Sequence, residues 1–194
     1  HFFAAEIIGI PTTGLFQNFA IAKIDNGNFL AQHQGKYPVI FITFKDIKEL
    51  SYANAINNIK ILIQMLFDEH KTYLHANNID HHDQMKFQKY LDGTINTQEL
   101  EMALLFLSKY LYKAHNNKKV IILIDEYDTP LTSAYHHDYL ENLSNFMRNL
   151  FSAALKSNPF VEKGLMTGIL RVSKNNMLSG LNNLEIYTLL DNKY

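Results

Sequence analysis

Val120-Ile121-Ile122-Leu123-Ile124 is an unbroken aliphatic run that ends in Asp125-Glu126-Tyr127-Asp128. Such a run, mostly β-branched, reads as a strand buried on both faces of a parallel sheet. The carboxylates begin where the apolar residues stop, at the strand's carboxyl end, which is where open α/β sheets bind ligands. An Asp placed there can hold Mg²⁺, often through water, and a Glu beside it can polarise a water for attack on a phosphate. The same residues also fit a buried strand that meets solvent at an acidic turn, with Asp128-Thr129-Pro130 opening a loop. A third use is as the ligand set of a metal-dependent nuclease or phosphatase. That needs more acid at neighbouring strand ends, and Asp46 is the one evident candidate.

An apolar strand ending in Asp-Glu is the Walker B pattern of P-loop ATPases, whose sites also use a sensor residue and a phosphate-cradling loop. Thr167 falls at the end of the following predicted strand, with Arg171 one turn beyond it. Where a strand lies between Walker A and Walker B, a polar residue on it (sensor 1) touches the attacking water or γ-phosphate, and a nearby Arg stabilises phosphate charge. The competing account is a Thr packed in a strand and an Arg paired with a surface carboxylate. A Walker A loop, G-x-x-x-x-G-K-[ST], is absent from the sequence. Gly9-Ile10-Pro11-Thr12-Thr13-Gly14 comes nearest, but Leu15-Phe16 stand where Lys and a hydroxyl are required, and the stretch reads as a turn. His81-His82 and His136-His137 lack metal-ligand spacing and read as solvated loop histidines.

The elements that must position these groups follow from the pattern of the chain. Pro38 to Phe44 is β-branched and aromatic and reads as a strand. Ile56, Ile59, Ile63, Leu66 and Phe67 recur at helical spacing and predict a helix from about Ala53 to Leu74. A second helix is expected over Asp80–Leu91. A third runs from a capping box at Asn96 and Glu99 to about His115. After the 120–124 strand, the pattern predicts a loop through His137, a helix over Asp138–Lys156 and a strand over Gly164–Leu170. Leu184–Leu190 is a last apolar run. His1–Ile10 reads as the tail of a helix, and Asn26-Gly27-Asn28 as a loop. Strands alternating with helices give an α/β protein with a mostly parallel sheet.

With 194 residues, 47% hydrophobic and 19% charged, the chain fits one globular domain, taken as residues 1–194. A net charge of −1 supports no bulk attraction to nucleic acid or an anionic membrane. Cysteine is absent, which excludes disulfides and thiolate metal sites and fits a reducing, cytoplasmic setting. No apolar run is long enough to span a membrane.

Several separate stretches resemble one family. Gly35-Lys36-Tyr37-Pro38-Val39-Ile40-Phe41, Leu123 to Leu131, Gly164 to Arg171 and Ser179 to Leu184 are similar, in order and spacing, to the bacterial AAA-ATPase-like domain. The resemblance covers nearly the whole chain. It implies a P-loop NTPase (RecA/AAA-type) three-layer sandwich and ATP with Mg²⁺ as ligand. It also implies, in many members, a PD-(D/E)XK-type nuclease domain further along, and with it a route to nucleic acid. Carried over residue by residue, Asp125 positions Mg²⁺, Glu126 activates water, Thr167 is the sensor and Arg171 the nearby arginine. The family's Walker A lies N-terminal to the matching stretches. The chain is therefore expected to be a fragment, truncated at both ends, missing the first (Walker A) strand and inactive alone. The Gly164–Leu170 strand would then show an open apolar edge suited to self-association. A non-catalytic remnant or interaction module, and a metal-dependent nuclease or phosphoesterase, are the alternatives.

Overall fold

The computed structural model describes residues 1–5, 12, 14–76, 78–169, 185 and 187. Three parallel strands form one sheet in the order β1 (Val39–Thr43), β2 (Val120–Asp125), β3 (Val161–Met166). The register sets Phe41 beside Leu123 and Leu123 beside Leu165, and it sets Thr43 beside Asp125. A bulge between Val120 and Ile121 leaves Glu162 as the extra residue on β3.

The helices are α1 (Asn28–His33), α2 (Tyr52–Glu69), α3 (His81–Leu91), α4 (Thr97–Glu101), α5 (Ala103–Ala114), α6 (Thr129–His136) and α7 (Leu140–Leu155). Their starts are written in the sequence. Ser51 accepts from the backbone of Asn54 ahead of α2, Asp80 accepts from Asp83 ahead of α3, and the capping box of Asn96 and Glu99 opens α4.

Both connections, β1 to β2 and β2 to β3, step across the sheet in the same direction. Right-handed crossovers then put their helices on one face. Ile40, Ile42, Ile122 and Ile124 point to that face and share one buried cluster with Ile59 and Ile63 of α2, Leu104 and Leu107 of α5, and Leu150 of α7. Gly164 lies on the same face. A side chain there would run into Leu155, the last residue of α7. The alternate residues point the other way, and on that face Phe41 is 53% and Leu165 57% exposed. Among the described residues the sandwich therefore has two layers, sheet and helices, and not the three expected. No described helix is long and apolar enough to cross a membrane.

Several expected elements differ. Phe2–Ala5 is extended, not helical. Tyr37 donates to the Phe3 carbonyl at 3.0 Å, Ala5 donates to the Tyr37 carbonyl at 2.8 Å, and Ala4 bridges to Tyr37 in parallel. A short apolar run carries no period that separates strand from helix. The expected loop before His137 contains α6: Pro130 sits in the first turn, where its fixed φ suits a helix and its missing N–H costs nothing, and Leu131 and Ala134 pack into the core. The helix from Asn96 breaks at Met102 into α4 and α5. β3 begins earlier than expected and stops at Met166, leaving Thr167 just beyond it. The Asn26-Gly27-Asn28 loop is a kink at the end of a 3-10 stretch, Ala20–Gly27, that leads into α1. Arg171 lies outside the described residues, as do all but Glu185 and Tyr187 of the Leu184–Leu190 run.

Candidate functional site

Asp125 is the last residue of the central strand, and each of its carboxylate oxygens accepts a hydroxyl, one from the residue just beyond β3 and one from the last residue of β1. Thr167 Oγ1 donates to Oδ1 at 2.6 Å, and Thr43 Oγ1 donates to Oδ2 at 3.3 Å. Backbone bonds hold the three segments in line: Thr167 N–H to the Ile124 carbonyl at 2.8 Å, Tyr127 N–H to the Thr167 carbonyl at 3.2 Å, and Phe44 N–H to the Asp125 carbonyl at 3.0 Å. The outcome is a hydroxyl–carboxylate–hydroxyl row across the carboxyl edge of the sheet, on the face that also carries Phe41 and Leu165.

Glu126 follows with φ at +49°, in the left-handed region. This turn swings the chain off the strand toward α6 and folds the Glu126 side chain back, so that Thr129 Oγ1 donates to Oε2 at 3.0 Å. Thr129 N–H also donates to the Glu126 carbonyl at 3.2 Å.

Asp128 behaves differently. It is 4% exposed, and its Oδ2 accepts the Ile169 N–H at 3.0 Å. Thr132 donates to its carbonyl from both N–H and Oγ1, at 3.0 and 3.1 Å. Gly168 lies against this carboxylate, and a Cβ at Gly168 would come within 2.5 Å of Asp128 Oδ1.

The structure thus places Asp125, Glu126 and Thr167 at one sheet edge. The acidic cluster envisaged for a nuclease does not gather. Asp125, Glu126 and Asp128 turn to three different partners, and Asp46 is exposed. Among the described residues no group of three or more His, Cys, Asp or Glu could hold a metal ion. His81 and His82 open α3, His136 ends α6 and His137 caps it, so these residues sit at helix ends and not in the loops expected, and all four are exposed. Thr43, Thr129 and Gly168 were not singled out from the sequence. For Thr43 the available signal was its place at the end of an apolar strand in a parallel sheet.

Mg²⁺ takes oxygen ligands and usually keeps several waters, using one or two carboxylates together with substrate phosphates. A half-buried Asp125 between two hydroxyls is an all-oxygen donor set of that kind, so the residues present fit such an ion.

A parallel sheet with a carboxylate at the carboxyl edge of its central strand places the chain among open-sheet α/β proteins. The family model described as "Predicted AAA-ATPase" (AAA-ATPase-like) matches residues 11–178, and the chain belongs to that family. It is 32% identical over 82 residues to an uncharacterized protein in the vnfD 5′ region of Azotobacter chroococcum mcd 1. That match covers 42% of this chain and 16% of the other protein, so the chain spans only a small part of that relative. No solved structure matches the chain.

Proposed function

We propose that this chain supplies the Walker B half of a Mg²⁺-ATP hydrolysing site. The observation that carries the reading is the Thr43–Asp125–Thr167 row, with Glu126 next to it at the edge of the sheet. Asp125 would hold Mg²⁺ through water, and the ion, when bound, would neutralise phosphate charge. Glu126 Oε2 is engaged by Thr129, which leaves Oε1 to accept a hydrogen from the attacking water. Thr167 keeps Asp125 oriented and serves as the sensor residue. Arg171 is the accompanying arginine, placed by sequence alone.

The sequence lacks G-x-x-x-x-G-K-[ST], so we infer that the phosphate-cradling loop comes from outside these 194 residues and that the chain alone binds nucleotide weakly. The exposed Phe41 and Leu165 and the outer edge of β3 favour a second reading, a non-catalytic interaction module that keeps the fold. Self-association at that edge, contact with nucleic acid through a nuclease domain elsewhere in the protein, and a cytoplasmic location belong to the same proposal.

The test is Mg²⁺-dependent ATP turnover and ATP binding by the full-length protein. Glu126→Gln is expected to keep binding and to lower kcat by about 100-fold or more, the scale of general-base losses. Asp125→Asn is expected to weaken Mg²⁺-dependent binding. Nucleotide-independent behaviour of the full-length protein, with both variants silent, would select the interaction module.

A further inference from the structure

Asp128 carries a carboxylate, as Asp125 and Glu126 do, but unlike those half-buried neighbours it is buried. It is 4% exposed, at the start of α6, with Oδ2 accepting the backbone N–H of Ile169. The Ile169 residue itself is 92% exposed. The segment after β3 is thus held at this point by its backbone and not by its side chain. Two more backbone bonds tie the same segment to the strand–loop corner, Thr167 N–H to the Ile124 carbonyl and Tyr127 N–H to the Thr167 carbonyl. Gly168 lies between Thr167 and Ile169, and the place its Cβ would occupy is taken by Asp128 Oδ1 and Tyr127 Cε1, at 2.5 and 2.9 Å. The loop after β2 and the segment after β3 therefore interlock at, and immediately after, the residue whose hydroxyl reaches Asp125.

We propose that Asp128 and Gly168 form a clamp that positions the Thr167 hydroxyl on Asp125, making Asp128 a positioning residue and not a metal ligand. The inference rests on the nucleotide-site reading for its catalytic consequence and on the geometry alone for the clamp. Asp128 acts as a hydrogen-bond acceptor from a buried position. A side-chain amide oxygen can accept the Ile169 N–H in the same way, whereas a metal ligand would need the charge. Gly168 acts by absence, since any Cβ must push Asp128 or the 167–169 backbone aside.

The experiment compares Asp128→Ala, Asp128→Asn and Gly168→Ala in the full-length protein by amide hydrogen exchange and by kcat and KM for Mg²⁺-ATP. Exchange at Ile169 is expected to rise about tenfold or more in Asp128→Ala and Gly168→Ala, the scale of one buried charge-assisted bond, and to stay near wild type in Asp128→Asn. The Ile124 amide, inside the sheet, is expected to be unchanged. Asp128→Ala should lower kcat with little effect on KM, Asp128→Asn should restore kcat, and adding Thr167→Val to Asp128→Ala should cost little more, because the two changes break one linkage. The proposal is overturned if Ile169 exchange is indifferent to Asp128→Ala, if Asn fails as badly as Ala, or if the Thr167 and Asp128 effects add in full. The exchange pattern found in a protein without Glu126-dependent turnover would support the clamp and sink the ATPase reading instead.

Discussion

Glu126 is a non-glycine residue with φ at +49°, next to a carboxylate held by two hydroxyls, and this conformation sets up a test that contacts alone would not suggest. In ordinary strand or helix positions Gly is less stable than Ala by about 0.5–1 kcal/mol, because the unfolded Gly chain has more freedom to lose. In the left-handed region the order reverses. An L side chain there costs about 1–2 kcal/mol through the clash of Cβ with the following carbonyl, and Gly escapes it. Glu126→Ala and Glu126→Gly both delete the bond from Thr129 Oγ1, so that loss cancels between them. The difference left is the strain less the entropy, roughly 0.5–1 kcal/mol in favour of Gly. For a chain of this length that corresponds to about 1–4 °C in Tm. Urea unfolding followed by far-UV circular dichroism measures it directly, with an unchanged m value as the control for two-state behaviour. Both variants are also expected to lack turnover, so the more stable one is no more active. If Glu126→Ala equals or exceeds Glu126→Gly in stability, the turn is not strained. The argument that the carboxylate is kept there at a cost for the sake of function then fails.

Two further predictions concern the helical layer. Burial, with His115 nearby as a secondary cause, pushes the His70 imidazole down from 6.5 to about 4. The unfolded chain then binds the extra proton between those values. Stability from this group is full above pH 6.5 and is lost as the pH falls toward 4, at most about 3 kcal/mol. Urea midpoints measured from pH 7 to 4 should fall less steeply in His70→Gln than in wild type, and parallel curves would remove His70 as the cause. Asp83 on α3 is 2% exposed and accepts from Lys109 at 3.0 Å and Lys113 at 2.6 Å on α5. Lys113 also bonds Asp80, holding that carboxyl well below the usual carboxylate range. Asp83→Ala is expected to cost about 2 kcal/mol, less than for a fully buried pair because both lysines retain access to water. A change below about 0.5 kcal/mol in the same assay would mean that the pairs are solvated like surface bridges.

Local pattern accounts for what was legible in the sequence. β1 and β2, the helix over residues 52–69 and the capping box of Asn96 and Glu99 all carry signals within a few residues of themselves. Asp125, Glu126 and Thr167 stood out because acids at a strand end, and a Thr at the next strand end, are recognisable without a partner. The strand-end position of Thr43 was legible, but its partner was not. Its bond to Asp125 spans 82 residues and exists only once the strands are in register. Asp128 looked like one more acid of the cluster, and only the fold shows its carboxylate turned inward to the Ile169 amide. Asp128-Thr129-Pro130 fits a turn and a helix start equally well at the local level. The packing of Leu131 and Ala134 into the core decides for the helix. Phe2–Ala5 took the form its partner required, the Tyr37 backbone.

Parity along β2 determines which side of the sheet the chemistry appears on. Ile122 and Ile124 face the helices and are fully enclosed, whereas Leu123 and Asp125 belong to the alternate set. An acid at 124 would have been driven into the cluster that holds Ile59, Leu107 and Leu150, with no polar partner to offset the desolvation of its charge. At 125 the carboxylate emerges on the face where, among the described residues, the one-directional crossovers place no helix, between hydroxyls from the end of β1 and from just beyond β3. The same stepping order that builds a core on one side therefore leaves the Asp125 row accessible on the other. A one-residue change of register in β2 would remove the site while the hydrophobic composition of the strand stayed as it is.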